Sequence, residues 1–122
     1  GLYSREAASE AARDLMTDPT PPDAIFVGND HMAFAVMDTL RFEMGLRIPD
    51  DISIVGYDDV PMAAWASYNL TTVRQSVNKM VTTTIETLLD QINDPTRKPQ
   101  KTEIQGPLIA RGSARRPEGW TP

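Results

Sequence analysis

Cysteine is absent from the 122-residue sequence, and histidine occurs only once. Without cysteine the chain has no disulfide, no thiol nucleophile and no thiolate ligand for a metal, and its composition fits a reducing compartment such as the cytoplasm. No serine, base and acid are spaced around His31 as in a nucleophilic triad, so we interpret this residue as polar surface at the start of a helix. These absences argue against thiol or triad catalysis, and we expect no metal and no cofactor.

Long apolar runs and basic clusters are also missing. No run approaches the ~18 apolar residues that a membrane-spanning helix needs, so we expect no membrane segment. The net charge is −5 and the pI is about 4.7, and the only adjacent basic pairs are Arg97-Lys98 and Arg115-Arg116. Because nucleic-acid surfaces need clustered lysine and arginine to meet phosphates, we expect these residues not to bind DNA by themselves.

Two apolar segments, residues 24–28 and 52–56, each run into polar residues at their carboxyl end. A continuous apolar run bounded by turn residues predicts a strand that is covered on both faces of a parallel sheet. Asn29 follows the first segment and Asp58 lies just beyond the second. Since open α/β sheets bind ligands at the carboxyl ends of their strands, these residues mark a candidate ligand site.

Helical patterns alternate with these strands and predict an α/β fold with a right-handed βαβ unit over residues 24–56. Ser4 is placed to cap a helix over about 5–17, and Asp30 to cap one over 31–44 that ends at Gly45. The second of these helices has too many apolar positions for one stripe, which predicts that it buries one face on the sheet and another against a partner.

The last helix is the most clearly amphipathic. Ser76 is placed to cap it, and residues 93–95 end it. Its apolar residues share one face: Val77, Met80, Val81, Ile85, Leu88, Leu89 and Ile92. Short strands are predicted over about 70–73, 102–105 and 108–111.

Carboxylate, amide and aromatic side chains are the candidates for binding a ligand or a metal. Asp58 and Asp59 could hold a magnesium ion, bind a polyhydroxylated or amide-bearing ligand, or simply cap the strand; we favour the second, because the further acid and lysine of a phospho-acceptor site are not evident. Asn29 can donate to and accept from a sugar hydroxyl, although an Asx turn would use the same groups. Tyr3 could stack on a sugar or a base, with core packing as the alternative.

Four sequence blocks together resemble the LacI/GalR family of bacterial transcription regulators. In chain order they are FVGNDHMA (26–33), GLRIPDDISIVGYDD (45–59), LTTVRQ (70–75) and LIARGS (108–113). The resemblance implies a three-layer, periplasmic-binding-protein-like fold with a mostly parallel sheet flanked by helices. It assigns residues 1–73 to the C-terminal lobe, 74–107 to the N-terminal lobe, and 108–122 to a return strand and tail.

The resemblance also implies an effector site. It places the family's effector-stacking aromatic on Tyr3, its hydrogen-bonding asparagine on Asn29 and its acidic sugar ligand on Asp58. Val77 occupies a position that is often phenylalanine in the family, and this departure weakens any claim to a second stacking ring. The family's effector-binding arginine is expected upstream of Gly1, and since the chain begins with glycine rather than methionine we interpret it as part of a longer protein.

The function that the resemblance implies is regulatory rather than enzymatic. A small effector, a sugar or its phosphate, would change the affinity of a homodimer for operator DNA, through a helix-turn-helix expected outside these residues. The dimer interface is expected on the 31–44 helix and the neighbouring 62–70 segment, at Met32, Ala35, Val36, Thr39 and Tyr68. Two alternatives stay open: the C-terminal lobe of an exported sugar-binding protein, and a small doubly wound enzyme that uses Asp58 and Asp59.

Overall fold

The computed structural model describes residues 3–121. The outer bounds of the predicted ranges 1–73 and 108–122 therefore lie outside the described residues. In this part of the chain the α-helices are α1 (Arg5–Met16), α2 (Asp30–Asp38) and α3 (Val77–Asn93). The strands are β1 (Ala24–Phe26), β2 (Ser53–Asp58), β3 (Thr71–Arg74) and β4 (Leu108–Ile109). A π-helical turn over Thr39–Glu43 extends α2, and a 3₁₀ turn covers Pro61–Ala64.

The strands form one sheet in the order β1-β2-β3-β4. The first three are parallel, and β4 returns antiparallel to β3. Phe26 pairs with Val55, and Asp58 pairs with Arg74, so the carboxyl ends of the parallel strands share one edge. The predicted α/β fold with a mostly parallel sheet and flanking helices is confirmed.

Small residues let α1 pack closely in the helical layer. The Ser4 hydroxyl caps this helix by accepting a hydrogen bond from the Ala7 N–H at 3.1 Å, as predicted. Ala8 and Ala12 are buried in the core, and α1 lies against α2. The large core side chains of α2 and its extension are completely buried: Phe34, Met37 and Leu40.

The start of α2 differs from the sequence-based assignment. Asn29, not Asp30, is the N-cap, and its side-chain oxygen accepts from the Met32 N–H at 2.9 Å. Asp30 is instead completely buried, where it accepts hydrogen bonds from the Thr72 hydroxyl at 2.6 Å and the Val60 N–H at 2.9 Å. Because both side chains are short and polar, local sequence gives no means of telling which one turns inward.

The expectation that β1 is covered on both faces is wrong. Val27, just beyond this strand, is buried, whereas Phe26 is 64% exposed. β1 is an edge strand, and Phe26 lines an open groove beside α1 instead of packing into the core. This edge position leaves the phenylalanine largely in solvent.

The expectation that a second face of α2 stays free for a partner is also wrong at three of the named positions. Ala35, Val36 and Thr39 are only 5%, 4% and 4% exposed. The reason is that α1 of the same chain packs on this side of α2. Met32 and Tyr68, by contrast, are partly exposed.

The helix α3 keeps its predicted extent but not its predicted cap. The Ser76 side chain makes no capping hydrogen bond, and the helix begins with the Met80 N–H donating to the Ser76 carbonyl at 2.9 Å. All seven apolar residues of its stripe are exposed, and no residue of the helix is buried. None of the described helices is both long and apolar enough to cross a membrane.

The strand predicted over 102–105 does not form. These residues are irregular, because the described part of the chain offers them no strand to pair with. The return strand is present but shorter than the predicted 108–111, since it ends at Ile109.

Candidate ligand-binding site

The candidate site lies at the sheet edge where β1, β2 and β3 end. Phe26 and Val55 are paired in the parallel part of the sheet. Asn29, which follows β1, and Asp58, the last residue of β2, therefore lie toward the same end of the sheet. Gln75 follows the end of β3 in the same way. The edge thus gathers two amides and a carboxylate, as the strand pattern predicted for Asn29 and Asp58.

Asp58 and Gln75 are joined by two hydrogen bonds. The side-chain amide of Gln75 donates to the Asp58 carboxylate, and the backbone N–H of Gln75 donates to the Asp58 carbonyl at 3.3 Å. Asp58 has a φ of 132°, which side-chain-bearing residues rarely adopt, and such strained residues cluster at ligand sites. The sequence analysis missed Gln75, although its place directly after a strand was the signal that singled out Asn29.

Asp59 turns away from Asp58 and toward two arginines. One carboxylate oxygen lies 2.8 Å from Arg74 Nε and the other 2.8 Å from Arg111 Nη2, and the side chain is 7% exposed. Burial acts to raise the pKa of Asp59, but the hydrogen bonds from Arg74 and Arg111 outweigh it, so the pKa lies below its usual value. With both Asp59 oxygens engaged, the adjacent carboxylates do not act as a pair, which removes the basis for the magnesium-enzyme reading.

Asn29 caps a helix and also lies at the candidate ligand site. Its oxygen caps α2, and its amide nitrogen lies 3.3 Å from the Met32 sulfur, so the Asx-type contact weighed from sequence is present. An asparagine amide carries two N–H donors. One of them is therefore available to a ligand at the edge.

Tyr3 and Val77 flank this edge on the solvent side. Tyr3 is 83% exposed, and a Cβ atom built on Gly28 would lie 4.0 Å from its Cε1, so the ring lies beside the backbone that leads to Asn29. Val77, the first residue of α3, is 60% exposed and lines an open groove together with Gln75. Among the described residues no group of three or more His, Cys, Asp and Glu side chains is arranged to hold a metal ion.

Comparison with known proteins identifies the fold family. Residues 2–114 match the periplasmic binding protein-like domain. The chain belongs to this family. LacI transcriptional regulators are among the similar solved structures, so the LacI resemblance is confirmed.

Two curated relatives of this periplasmic binding protein-like domain are transcriptional repressors, not enzymes. The probable HTH-type transcriptional repressor ExuR of Bacillus subtilis (strain 168) is 36% identical over 116 residues, which cover 95% of this chain and 34% of the relative. The ribose operon repressor of Escherichia coli (strain K12) is 36% identical over 114 residues, which cover 93% of this chain and 34% of the relative. The chain thus spans about a third of the length of these curated relatives.

Two similar solved structures contain sugars. A LacI family transcriptional regulator from Enterococcus faecium with bound ribose has a TM-score of 0.77 and 28% identity, over 92% of this chain and 41% of that one. The transcriptional regulator CelR in complex with cellobiose has a TM-score of 0.82 and 31% identity, over 93% of this chain and 35% of that one.

Proposed function

We propose that this chain is the effector-sensing part of a LacI-type transcriptional repressor, and that it binds a sugar or sugar derivative. The observation that carries the proposal is the placement of Asn29, Asp58 and Gln75 at the carboxyl edge of the sheet, with Tyr3 exposed beside the backbone that leads to Asn29. The ribose and cellobiose complexes of similar regulators support the choice of a carbohydrate.

The residue chemistry suits a carbohydrate. The Asp58 carboxylate only accepts hydrogen bonds when ionised, so it pairs with sugar hydroxyls as donors. The amides of Asn29 and Gln75 both donate and accept, which fits hydroxyls of either orientation. The Tyr3 ring offers an apolar face to the C–H face of a sugar ring.

Regulation requires that the ligand bind two conformations unequally. We place residues 74–107 in a second lobe that closes over the ligand, and the exposed apolar stripe of α3, which has no buried residue, supports this placement. Closure would change operator affinity through a helix-turn-helix outside these residues. Because a repressor acts on the chromosome, its location would be the cytoplasm.

We also propose a homodimer, with Tyr68 and Met32 at the interface. The Tyr68 ring stacks on Phe34 with centroids 4.3 Å apart, and its hydroxyl donates to Asp38 at 3.2 Å. These contacts hold Tyr68 against α2 while leaving it partly exposed. Isologous interfaces of this kind are the commonest in soluble oligomers.

Calorimetric titration of the native-length protein with ribose, cellobiose and related sugars tests the effector proposal. We expect Asp58→Ala to lower the affinity for the sugar that binds ten- to a hundredfold, since a hydrogen bond to a charged group contributes about 1.5 to 3 kcal/mol. Asp50→Ala is the matched control, because Asp50 is an exposed carboxylate before β2, at the opposite end of that strand. Equal affinities for the Asp58→Ala and unsubstituted proteins would contradict the proposal.

A further inference from the structure

We propose that Asp59 is a positioning residue: by bridging Arg74, at the end of β3, and Arg111, just beyond β4, it fixes the segment that carries Gln75. The residues that join the sheet to α3 leave through β3 and return through β4. The inference rests on the proposed function where it concerns the ligand, and it adds a residue that acts on the site without being placed in it.

The chain segments that leave and re-enter the sheet touch each other. The Arg74 N–H donates to the Pro107 carbonyl at 2.9 Å. A Cβ atom built on Gly106 would lie 3.2 Å from Val73 Cγ1 and closer still to the Arg74 carbonyl oxygen, so only a glycine allows this approach of the two backbones. The position of Arg74 is therefore tied to the path of the chain on both sides of α3.

The two arginines that bind Asp59 are held to different degrees. Arg111 is an anchor, because its guanidinium also donates to the Leu70 carbonyl at 2.9 Å and its backbone N–H donates to the Thr71 hydroxyl at 2.9 Å. The Arg74 side chain is 51% exposed, and Asp59, at 2.8 Å, is its only hydrogen-bond partner among the described residues. Asp59 thus links a fixed arginine to one that depends on it.

The backbone beside these ion pairs needs such a restraint. Asp58 has a φ of 132° and Asp59 a φ of 61°, and residues with side chains keep such values only where the surrounding contacts determine them. Arg74 pairs with Asp58 in the sheet, and the next N–H, that of Gln75, donates to the Asp58 carbonyl over a long 3.3 Å. Release of Arg74 from Asp59 would therefore loosen Gln75, whose side-chain amide meets the Asp58 carboxylate.

A loosened Gln75 would bind a ligand less tightly even though no contact to the ligand is lost. Ordering a mobile side chain on binding costs about 0.5 to 1.5 kcal/mol, and a side chain that is already fixed avoids this cost. The proposal therefore makes two separate predictions, one for the mobility of Gln75 in the free protein and one for its affinity for a sugar.

Hydrogen exchange of the free native-length protein, followed by mass spectrometry, tests the first. In Arg74→Met we expect the peptide that contains Gln75 to exchange about fivefold faster, while the peptide that contains Val27, whose N–H donates to Val55 at 2.8 Å, keeps its rate. Arg74→Lys keeps the charge and should restore most of the protection. A general loss of stability accelerates both peptides alike, so equal acceleration, or none, overturns the inference.

Calorimetric titration with ribose and cellobiose tests the second. We expect Arg74→Met to bind the sugar about three- to tenfold more weakly, and Arg74→Lys to bind it nearly as well as the unsubstituted protein. Arg13→Met is the matched control, because it removes an arginine of similar exposure that pairs with Glu43 at 2.7 Å, away from the sheet edge, and it should change neither affinity nor exchange.

The two measurements together separate positioning from other roles. Weaker binding with unchanged exchange at Gln75 means that Arg74 acts on the ligand directly, and faster exchange with unchanged affinity means that the placement of Gln75 does not matter; either result overturns the inference. If the unsubstituted protein binds no sugar, the proposed function fails, and the exchange of Gln75 alone then decides whether Asp59 positions it.

Discussion

The Thr72 hydroxyl donates to the Asp30 carboxylate over 2.6 Å, and both side chains are completely buried. The second oxygen of Asp30 accepts from the Val60 N–H at 2.9 Å. One carboxylate therefore ties the first turn of α2 to β3 and to the segment that follows β2. These are the elements that carry Asn29 and Asp58, so the position of the site depends on this buried contact.

We expect Asp30→Asn to lower the free energy of unfolding by about 1 to 3 kcal/mol. The amide oxygen can still accept one of the two hydrogen bonds, but the NH2 group replaces the other acceptor, and an unsatisfied buried group costs about that much. Thr72→Val removes only the hydroxyl and should be milder. Urea unfolding followed by circular dichroism measures both, with Asp50→Asn as an exposed control that should stay within about 0.5 kcal/mol.

The ion pairs of Asp59 should make stability depend on pH. The pKa of Asp59 lies below its usual value in the folded chain because Arg74 and Arg111 bind the ionised form. Its contribution is thus present above the unfolded pKa, about 3.9, and is lost as the pH falls through the folded pKa. Asp59→Asn should be less stable by about 1.5 to 3 kcal/mol at pH 7, with a difference that shrinks below pH ~4.

Urea titrations at several pH values between neutral and about 3 test this dependence. Glu43→Gln is the matched control, since Glu43 binds Arg13 at 2.7 Å but both side chains are about half exposed. Exposed ion pairs add little to stability because solvent screens them, so this variant should change little at any pH. A stability difference for Asp59→Asn that stays constant down to acid pH would show that the carboxylate acts through shape alone.

Sequence reasoning succeeded where local pattern decides the structure. The cap at Ser4, the left-handed Gly45 with its φ of 65°, and the extent of α3 all follow from signals within a few residues. Asn29 and Asp58 could be placed at one edge because parallel strands fix where their ends meet. The family blocks added the identity of the fold.

The failed predictions at Phe26, Ala35 and Asp59 involve tertiary contacts. Whether Phe26 is covered depends on its edge position, and whether Ala35 is free depends on how α1 packs, and neither is written in local periodicity. The engagement of Asp59 with Arg111 joins residues far apart in the sequence through β4. That contact could not be inferred before the topology was known. It engages the Asp59 carboxylate, so Asp58 and Asp59 do not act together as a pair of ligand-binding carboxylates.

Gly56 should tolerate no side chain. A Cβ atom there would lie 2.9 Å from Leu70 Cδ2 and closer still to Asp30 Oδ1, in the completely buried core. Overpacking of this kind costs about 1 to 3 kcal/mol, so Gly56→Ala should clearly lower the melting temperature. Gly45→Asn is the comparison: a Cβ there meets nothing within 4 Å, and asparagine accepts the left-handed φ, so the melting temperature should barely move.

The apolar stripe of α3 should drive the isolated 122-residue chain to self-associate. Its seven residues, from Val77 to Ile92, are between 43% and 64% exposed. Burying such a side chain fully contributes about 1.5 to 3 kcal/mol, so pairing two copies of the stripe recovers a large part of this energy. Phe42, in the π-helical turn that extends α2, is 82% exposed and offers a second apolar contact between copies.

Sedimentation equilibrium of the isolated chain at micromolar concentration is the direct measurement. We expect a mass above the 13.5 kDa of one chain, and a shift toward the monomer when Ile85 and Leu88 are both changed to glutamate. Thr82→Glu is the control, because it adds a charge on the polar side of the same helix, where Thr82 shares a groove with Lys79. A well-folded monomer with α3 ordered would show that this stripe needs no partner, and would also remove the support that it gives to a second lobe.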